Sequence, residues 1–73
     1  MSALGVALFH TTSAALRAEK VLIKGGLAVK LVPTPREFSS DCGIALRFAW
    51  SDIERARTAL DAARVDVAGF HQL

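Results

Sequence analysis

Short hydrophobic runs alternate along this chain with two longer amphipathic stretches. Residues 5–9 form an apolar run that is too short for a helix, so they predict a buried strand. Residues 28–32 predict a second strand, and residues 44–50, with a large apolar side chain at every other position, predict a third. Val65 and Val67 alternate with Asp66 and Ala68, so residues 65–72 predict a fourth strand.

The two amphipathic stretches predict helices with recognisable ends. Residues 13–24 follow hydroxyl side chains that can cap a helix and precede the stop signal Gly25-Gly26. The predicted apolar arc of this helix is Ala15, Leu16, Ala18, Leu22 and Ile23. A second helix is expected after Ser51, which forms a capping-box pattern with Glu54. Its predicted core face is Ile53, Ala56, Leu60 and Ala63.

The order of these elements predicts an α+β fold of the ferredoxin-like split βαβ type (βαββαβ). Such a fold has a four-stranded antiparallel sheet with two helices on one face. The 73 residues are enough for one domain, so we expect residues 1–73 to fold as a unit. Because both crossovers should be right-handed, strand three is expected between strands one and two.

The composition narrows the possible partners and compartments. The net charge is only +2 and the basic residues are scattered among acids, so no nucleic-acid surface is indicated. The opening residues match neither a signal peptide nor a membrane span. One cysteine cannot form an internal disulfide, which favours a reducing cytoplasm.

The hydrophobic fraction of 52% is high for a chain of this length and suggests an apolar surface that a second copy covers. We expect a homodimer through the sheet face that the helices leave open. The residues predicted to line this face are Ala7, Phe9, Ala45, Ala49, Ala68 and Phe70.

The polar stretch 33–43 combines both prolines of the chain with its single cysteine. Cys42 follows Ser39 and Ser40 and is followed by Gly43, which removes a side chain from beside the sulfur. A cysteine among turn-forming residues favours an accessible thiol, although many lone cysteines are small buried hydrophobes. Both interpretations remain open from these residues alone.

The predicted topology brings Cys42 to the sheet rim where the first helix begins. Partial positive charge and spare N–H groups at Thr11, Thr12 and Ser13 would favour a thiolate there. Arg36 would add to this effect, and Asp41 would oppose it.

Two histidines and a glutamate are further candidates. His10 lies at the same predicted rim, as a structural residue or as an acid or base, whereas His71 is expected at the opposite rim. A zinc site of cysteine and two histidines is therefore not expected. Glu19 falls within the apolar arc of the first helix. Either its aliphatic stem packs at the margin of this arc with the carboxylate in water, or the carboxylate has a specific target.

These residues also carry a resemblance. The pattern Pro33-x-Pro35-Arg36-x-x-Ser39-Ser40-x-Cys42-Gly43, with Ala14-x-x-x-Ala18-Glu19-x-x-Leu22 upstream, resembles the selenium/sulfur carrier protein-like family of small bacterial proteins. The resemblance covers nearly the whole chain.

The resemblance implies that Cys42 carries sulfur or selenium as a transient persulfide or perselenide. We expect no other cofactor and no metal. A cysteine desulfurase or similar donor protein and an acceptor protein would then be the partners. The chain would be a carrier and not an enzyme; a free-standing catalyst of thiol exchange lacks a second cysteine. The alternative is a ferredoxin-like interaction or regulatory module in which Cys42 is structural.

Overall fold

The chain folds into four strands and two helices in a computed structural model that describes residues 3–38 and 43–73. In chain order these are β1 (Leu4–Leu8), α1 (Thr12–Lys24), β2 (Val29–Pro33), β3 (Ile44–Ala49), α2 (Ile53–Ala62) and β4 (Gly69–Gln72), with a short 3-10 helix, Trp50–Asp52, before α2. The predicted α+β class is confirmed. No helix of the described residues is long and apolar enough to cross a membrane.

The strands form one antiparallel sheet in the order β2-β3-β1-β4. This order is compatible with the ferredoxin-like arrangement, and β3 lies between β1 and β2 as predicted. Leu8, the last residue of β1, pairs with Ala45 of β3 and Gly69 of β4. One rim of the sheet therefore brings together the end of β1 and the beginnings of β3 and β4.

The helices cover one face of the sheet and form the larger core with it. Ala15, Ala18 and Leu22 of α1 and Ala56 and Leu60 of α2 are buried there. The strands contribute Ala7, Leu46 and Phe48, and Phe9 adds its ring just beyond β1. Full burial of a leucine or phenylalanine contributes about 1.5–3 kcal/mol each, so this layer accounts for most of the hydrophobic stabilisation.

Helix α1 starts and stops where the sequence predicts. The Thr11 hydroxyl accepts a hydrogen bond from the Ala14 N–H at 3.1 Å, and Gly26, with φ of 87°, follows the last turn. The predicted apolar arc was too wide, because Leu16 and Ile23 are 44% and 55% exposed. The small residues Ala15 and Ala18 bring the helix close to the sheet, so only a narrow stripe of its surface is covered.

The start of α2 differs from the predicted capping box. Ser51 lies inside the 3-10 helix, and Asp52 precedes α2 without a side-chain capping hydrogen bond. A capping serine needs an extended backbone, which the 3-10 turn does not provide. The predicted core face of α2 is confirmed, since Ala56 and Leu60 are buried and Ile53 and Ala63 pack against the core.

Strand β4 is shorter than predicted. Residues 65–68 are not part of a strand, because the chain must first return from the end of α2 to the sheet rim. Arg64 takes a left-handed conformation (φ 57°), and the Val65 N–H then bonds to the Leu60 carbonyl at 3.0 Å. The Ala68 N–H donates to the Leu8 carbonyl at 2.7 Å, just before β4 begins.

The sheet face opposite the helices, which we call the open face, has its own small apolar cluster. Val6, Leu8 and Ala45 are at most 4% exposed, and Val32 and Phe38 pack against them. The predicted set of open-face residues is partly wrong. Ala7, Phe9 and Phe70 belong to the helix side, because alternation along β1 and β4 turns them that way.

Candidate functional site

The connection between β2 and β3 carries the candidate cysteine and is closed at its base. Pro33 ends β2 opposite Ile44, the first residue of β3. The Thr34 N–H donates a hydrogen bond to the Gly43 carbonyl at 3.1 Å and so joins the two sides of the loop. The central residues Ser39, Ser40, Asp41 and Cys42 lie outside the described residues, so their predicted roles stay predictions.

The first half of the loop folds into a turn. The Phe38 N–H donates to the Pro35 carbonyl at 3.0 Å, which places Arg36 and Glu37 at the two central positions. Both side chains are exposed. The guanidinium of Arg36 is therefore available to a molecule that approaches the loop.

Phe38 anchors this turn to the open face. Its side chain packs on the cluster of Val6, Leu8 and Ala45. Its ring also stacks on the His71 imidazole, with 4.3 Å between ring centroids and 17° between planes. Apolar burial and ring stacking together fix the turn four residues before Cys42.

The contact with Phe38 corrects the expected separation of His71 from the loop. His71 lies on the edge strand β4 opposite Val6, and its side chain is on the open face, where Phe38 of the loop stacks on it. The topology alone predicted the position of His71 along β4, but it could not predict that Phe38 of the loop would contact this residue. Sequence reasoning missed Phe38, whose only signal was a large aromatic residue within a polar stretch.

Gly43 is a glycine that the described fold does not require. It is exposed, and a β-carbon there would meet no described atom within 4 Å. Its φ is not in the left-handed region, unlike that of Gly26. The described residues therefore leave room for another molecule to approach Gly43, which follows Cys42 in the chain.

The start of α1 lies at the sheet rim where β3 begins, as the register of Leu8 with Ala45 requires. His10, Thr11, Thr12 and Ser13 are all exposed there. The Thr11 hydroxyl already caps the helix, so its established role is structural. The expected closeness of Cys42 to this helix end involves a residue outside the described ranges and remains a prediction.

Glu19 lies well away from the helix start. It is half-buried and seven residues after Thr12, about 10 Å along the axis of α1. Its neighbours Ala18 and Leu22 are buried, which places its stem at the margin of the packed stripe. The structure does not bring Glu19 together with the described part of the loop.

Metal ligation has no support among residues 3–38 and 43–73. No group of three or more histidine, cysteine, aspartate or glutamate side chains in these ranges could hold an ion. Among the described residues, the candidate site consists of an anchored turn, the exposed guanidinium of Arg36 and the space beside Gly43.

Replacing Phe38 tests the loop anchor. Phe38→Ala should lower the free energy of unfolding by about 1–3 kcal/mol, because it uncovers Val6 and Leu8. Phe38→Leu keeps most of the apolar cover and should lose only the stacking on His71, about 0.5–1.5 kcal/mol. Urea unfolding measures both; a Phe38→Ala protein as stable as wild type would show that the loop is not anchored.

Comparison with known proteins gives the family. The family model described as "Putative Se/S carrier protein-like" matches residues 4–72, nearly the whole chain. No curated protein and no solved structure matches. The match includes both helices, all four strands and the connection between β2 and β3, so the chain belongs to the Se/S carrier protein-like family.

Proposed function

We propose that the protein carries a sulfur or selenium atom on Cys42 and presents it to partner proteins. The observation that supports this most is Gly43, the residue after Cys42, where a β-carbon would meet no described atom within 4 Å and the described fold does not need a glycine. The family description points to the same kind of cargo. A carrier needs an approachable atom and not an enclosed pocket.

The loading step is a transfer between sulfur atoms. The Cys42 thiolate attacks the terminal sulfur of a cysteine persulfide on a donor such as a cysteine desulfurase. A new S–S bond forms, the donor's S–S bond breaks, and the donor cysteine leaves as a thiolate. In delivery, a nucleophile of the acceptor takes the terminal sulfur and releases the Cys42 thiolate. Selenium would follow the same steps as a perselenide.

The described part of the loop would make docking less costly. Phe38 already holds the turn against the open face, and the two prolines restrict the backbone on either side of Thr34. The loop would therefore lose less conformational entropy when a partner binds than an unanchored loop would. Arg36, exposed at the turn, would pair with a carboxylate of the partner or with the anionic chalcogen.

The outer anion of a loaded cysteine needs hydrogen-bond donors. We assign this role to the hydroxyls of Ser39 and Ser40 and to the N-terminal N–H groups of α1 around Thr12 and Ser13. His10, exposed at the same rim, would supply or accept a proton during transfer. A reducing cytoplasm would keep the thiol available between rounds.

Direct loading tests the proposal. After incubation with a cysteine desulfurase and cysteine, intact-protein mass spectrometry should show one added sulfur on wild type, and none on Cys42→Ser. Selenocysteine in place of cysteine tests selenium loading in the same way. Equal loading of Cys42→Ser, or no loading of wild type by the desulfurase and by glutathione persulfide, would reject the carrier and favour an interaction module with a structural cysteine.

Gly43→Ala tests whether the open space serves a partner. We expect unfolding free energy within about 0.5 kcal/mol of wild type, because the new methyl group meets no described atom. Loading by the desulfurase should slow by about tenfold, while loading by the small donor glutathione persulfide should be unchanged.

Gly26→Ala is the matched control for this substitution. Because Gly26 has a left-handed backbone, the Gly26→Ala variant should be about 1 kcal/mol less stable than wild type. Its folded molecules should still be loaded by the desulfurase at the wild-type rate. If Gly43→Ala loads from the desulfurase as fast as wild type, the free space at Gly43 has no role in transfer.

A further inference from the structure

The open face carries two cations on neighbouring strands. Lys30 of β2 and Arg47 of β3 are directly opposite each other, and the alternation of their strands places them on this face. Their β-carbons are therefore about 4.5–5.5 Å apart, and like charges in such a pair destabilise a sheet. Neither forms a salt bridge with another described residue.

Other arginines of the chain do have structural partners. Arg17 donates to the Ala63 carbonyl at the end of α2 at 3.0 Å. Arg55 is 3.8 Å from the Asp52 carboxylate, and the Arg57 guanidinium lies over the Phe70 ring. Lys30 and Arg47 have no comparable partner among the described residues, and the sheet register sets these two cations directly opposite each other.

No strand residue on the open face is acidic. By alternation and register, this face presents Leu4, Val6, Leu8, Lys30, Val32, Ala45, Arg47, Ala49, Gly69 and His71. The row that contains the cations continues from Arg47 through Val6 to His71, which contacts Phe38 of the loop. A molecule bound to the cations would thus lie next to the loop that leads to Cys42.

Exposed apolar side chains lie beside the cations. Leu4 is 40% exposed and Leu73 is 53% exposed, and the Leu73 N–H bonds to the Leu4 carbonyl at 2.8 Å. A depression of about 310 Å³ is lined in part by Leu4, Lys30, Arg47 and Ala49. We call these four residues and Leu73 the docking patch. Protein interfaces typically combine an apolar core with a polar rim, and arginine is enriched in them.

The sheet edge is a less suitable docking site than this face. The edge strand β2 ends at Pro33, which has no N–H for an added strand, and it carries Lys30, a typical protection of sheet edges. The other edge strand, β4, has only four residues. A partner would gain more from covering the docking patch than from extending the sheet.

We propose that the docking patch binds an acidic, leucine-containing surface of the protein that exchanges the chalcogen with Cys42. Carboxylates would neutralise Lys30 and Arg47, and apolar side chains would cover Leu4 and Leu73. A two-fold dimer through this face would instead bring the same cationic patch of each copy together. This inference rests on the proposed function only for the identity of the partner.

A titration with a defined acidic probe tests the patch separately from the sulfur chemistry. The probe is a short peptide of glutamates interspersed with leucines, added to ¹⁵N-labelled protein as wild type and as Cys42→Ser. We expect amide shift changes centred on Leu4, Lys30, Arg47 and Ala49 in both proteins. A matched peptide with lysines in place of the glutamates should bind at least about tenfold more weakly.

Charge reversal gives the specificity control. The double variant Lys30→Glu/Arg47→Glu should bind the acidic peptide at least about tenfold more weakly. Lys20→Glu/Lys24→Glu on the exposed side of α1 changes the net charge equally and should retain affinity. If the reversed sheet variant does not fold, Lys30→Gln/Arg47→Gln replaces it.

Three outcomes would overturn the proposal. In the first, the amide shift changes caused by the peptide are centred on the helices. In the second, the α1 control variant loses as much affinity for the peptide as the sheet variant does. In the third, the patch amides shift with protein concentration when no peptide is present. The last would assign the patch to a second copy of the chain. Because Cys42→Ser is included, none of these outcomes depends on whether Cys42 can be loaded.

Discussion

Two helices can cover only one face of a four-stranded sheet, and the other face must be covered by something else. In this chain Val6, Leu8 and Ala45 point away from the helices and are nevertheless almost fully buried. The chain covers them with Phe38, a residue of the connection between β2 and β3. The hydrophobic requirement of the sheet therefore fixes the position of Phe38 and of the turn that it ends.

The same contacts restrain the described parts of the loop on either side of residues 39–42. The turn from Pro35 to Phe38 and the hydrogen bond between Thr34 and Gly43 restrain both sides of the loop. The anchor covers the part of the open face nearest the rim, and the docking patch lies on the part that remains exposed. A partner on that patch would contact the sheet beside the anchored turn of residues 35–38, which reduces the entropy cost of forming the complex.

The residues that the fold does not require are the most informative about function. Neither the opposed cations Lys30 and Arg47 nor the largely exposed Leu4 side chain stabilises the described fold by an ion pair or by full burial, and Gly43 could carry a β-carbon without meeting a described atom. In contrast, Gly26 and Thr11 have evident structural roles at the ends of α1. A carrier that binds a donor and then an acceptor would need exposed residues of this sort, which are free to contact another protein.

The sequence predicted the fold well where side chains are large and regularly spaced. Alternation in β3 and the caps of α1 have strong local signals, and the strand order follows from the handedness of the crossovers. The assignment of residues to the two sheet faces was poorer, because Ala7, Phe9 and Phe70 were predicted on the open face but pack on the helix side. The Phe38–His71 contact could not be predicted, because it depends on the three-dimensional path of a loop between distant positions.

The reactivity of the Cys42 thiol tests the central claim most directly. The rate of alkylation by iodoacetamide should be measured against pH for the native protein and for the protein unfolded in urea. We expect the native thiol to react at least as fast as the unfolded one near neutral pH, with its titration midpoint below the free-cysteine value of about 8.5. A native thiol that reacts more slowly than the unfolded one at every pH would contradict the account, because it would place the sulfur in the interior.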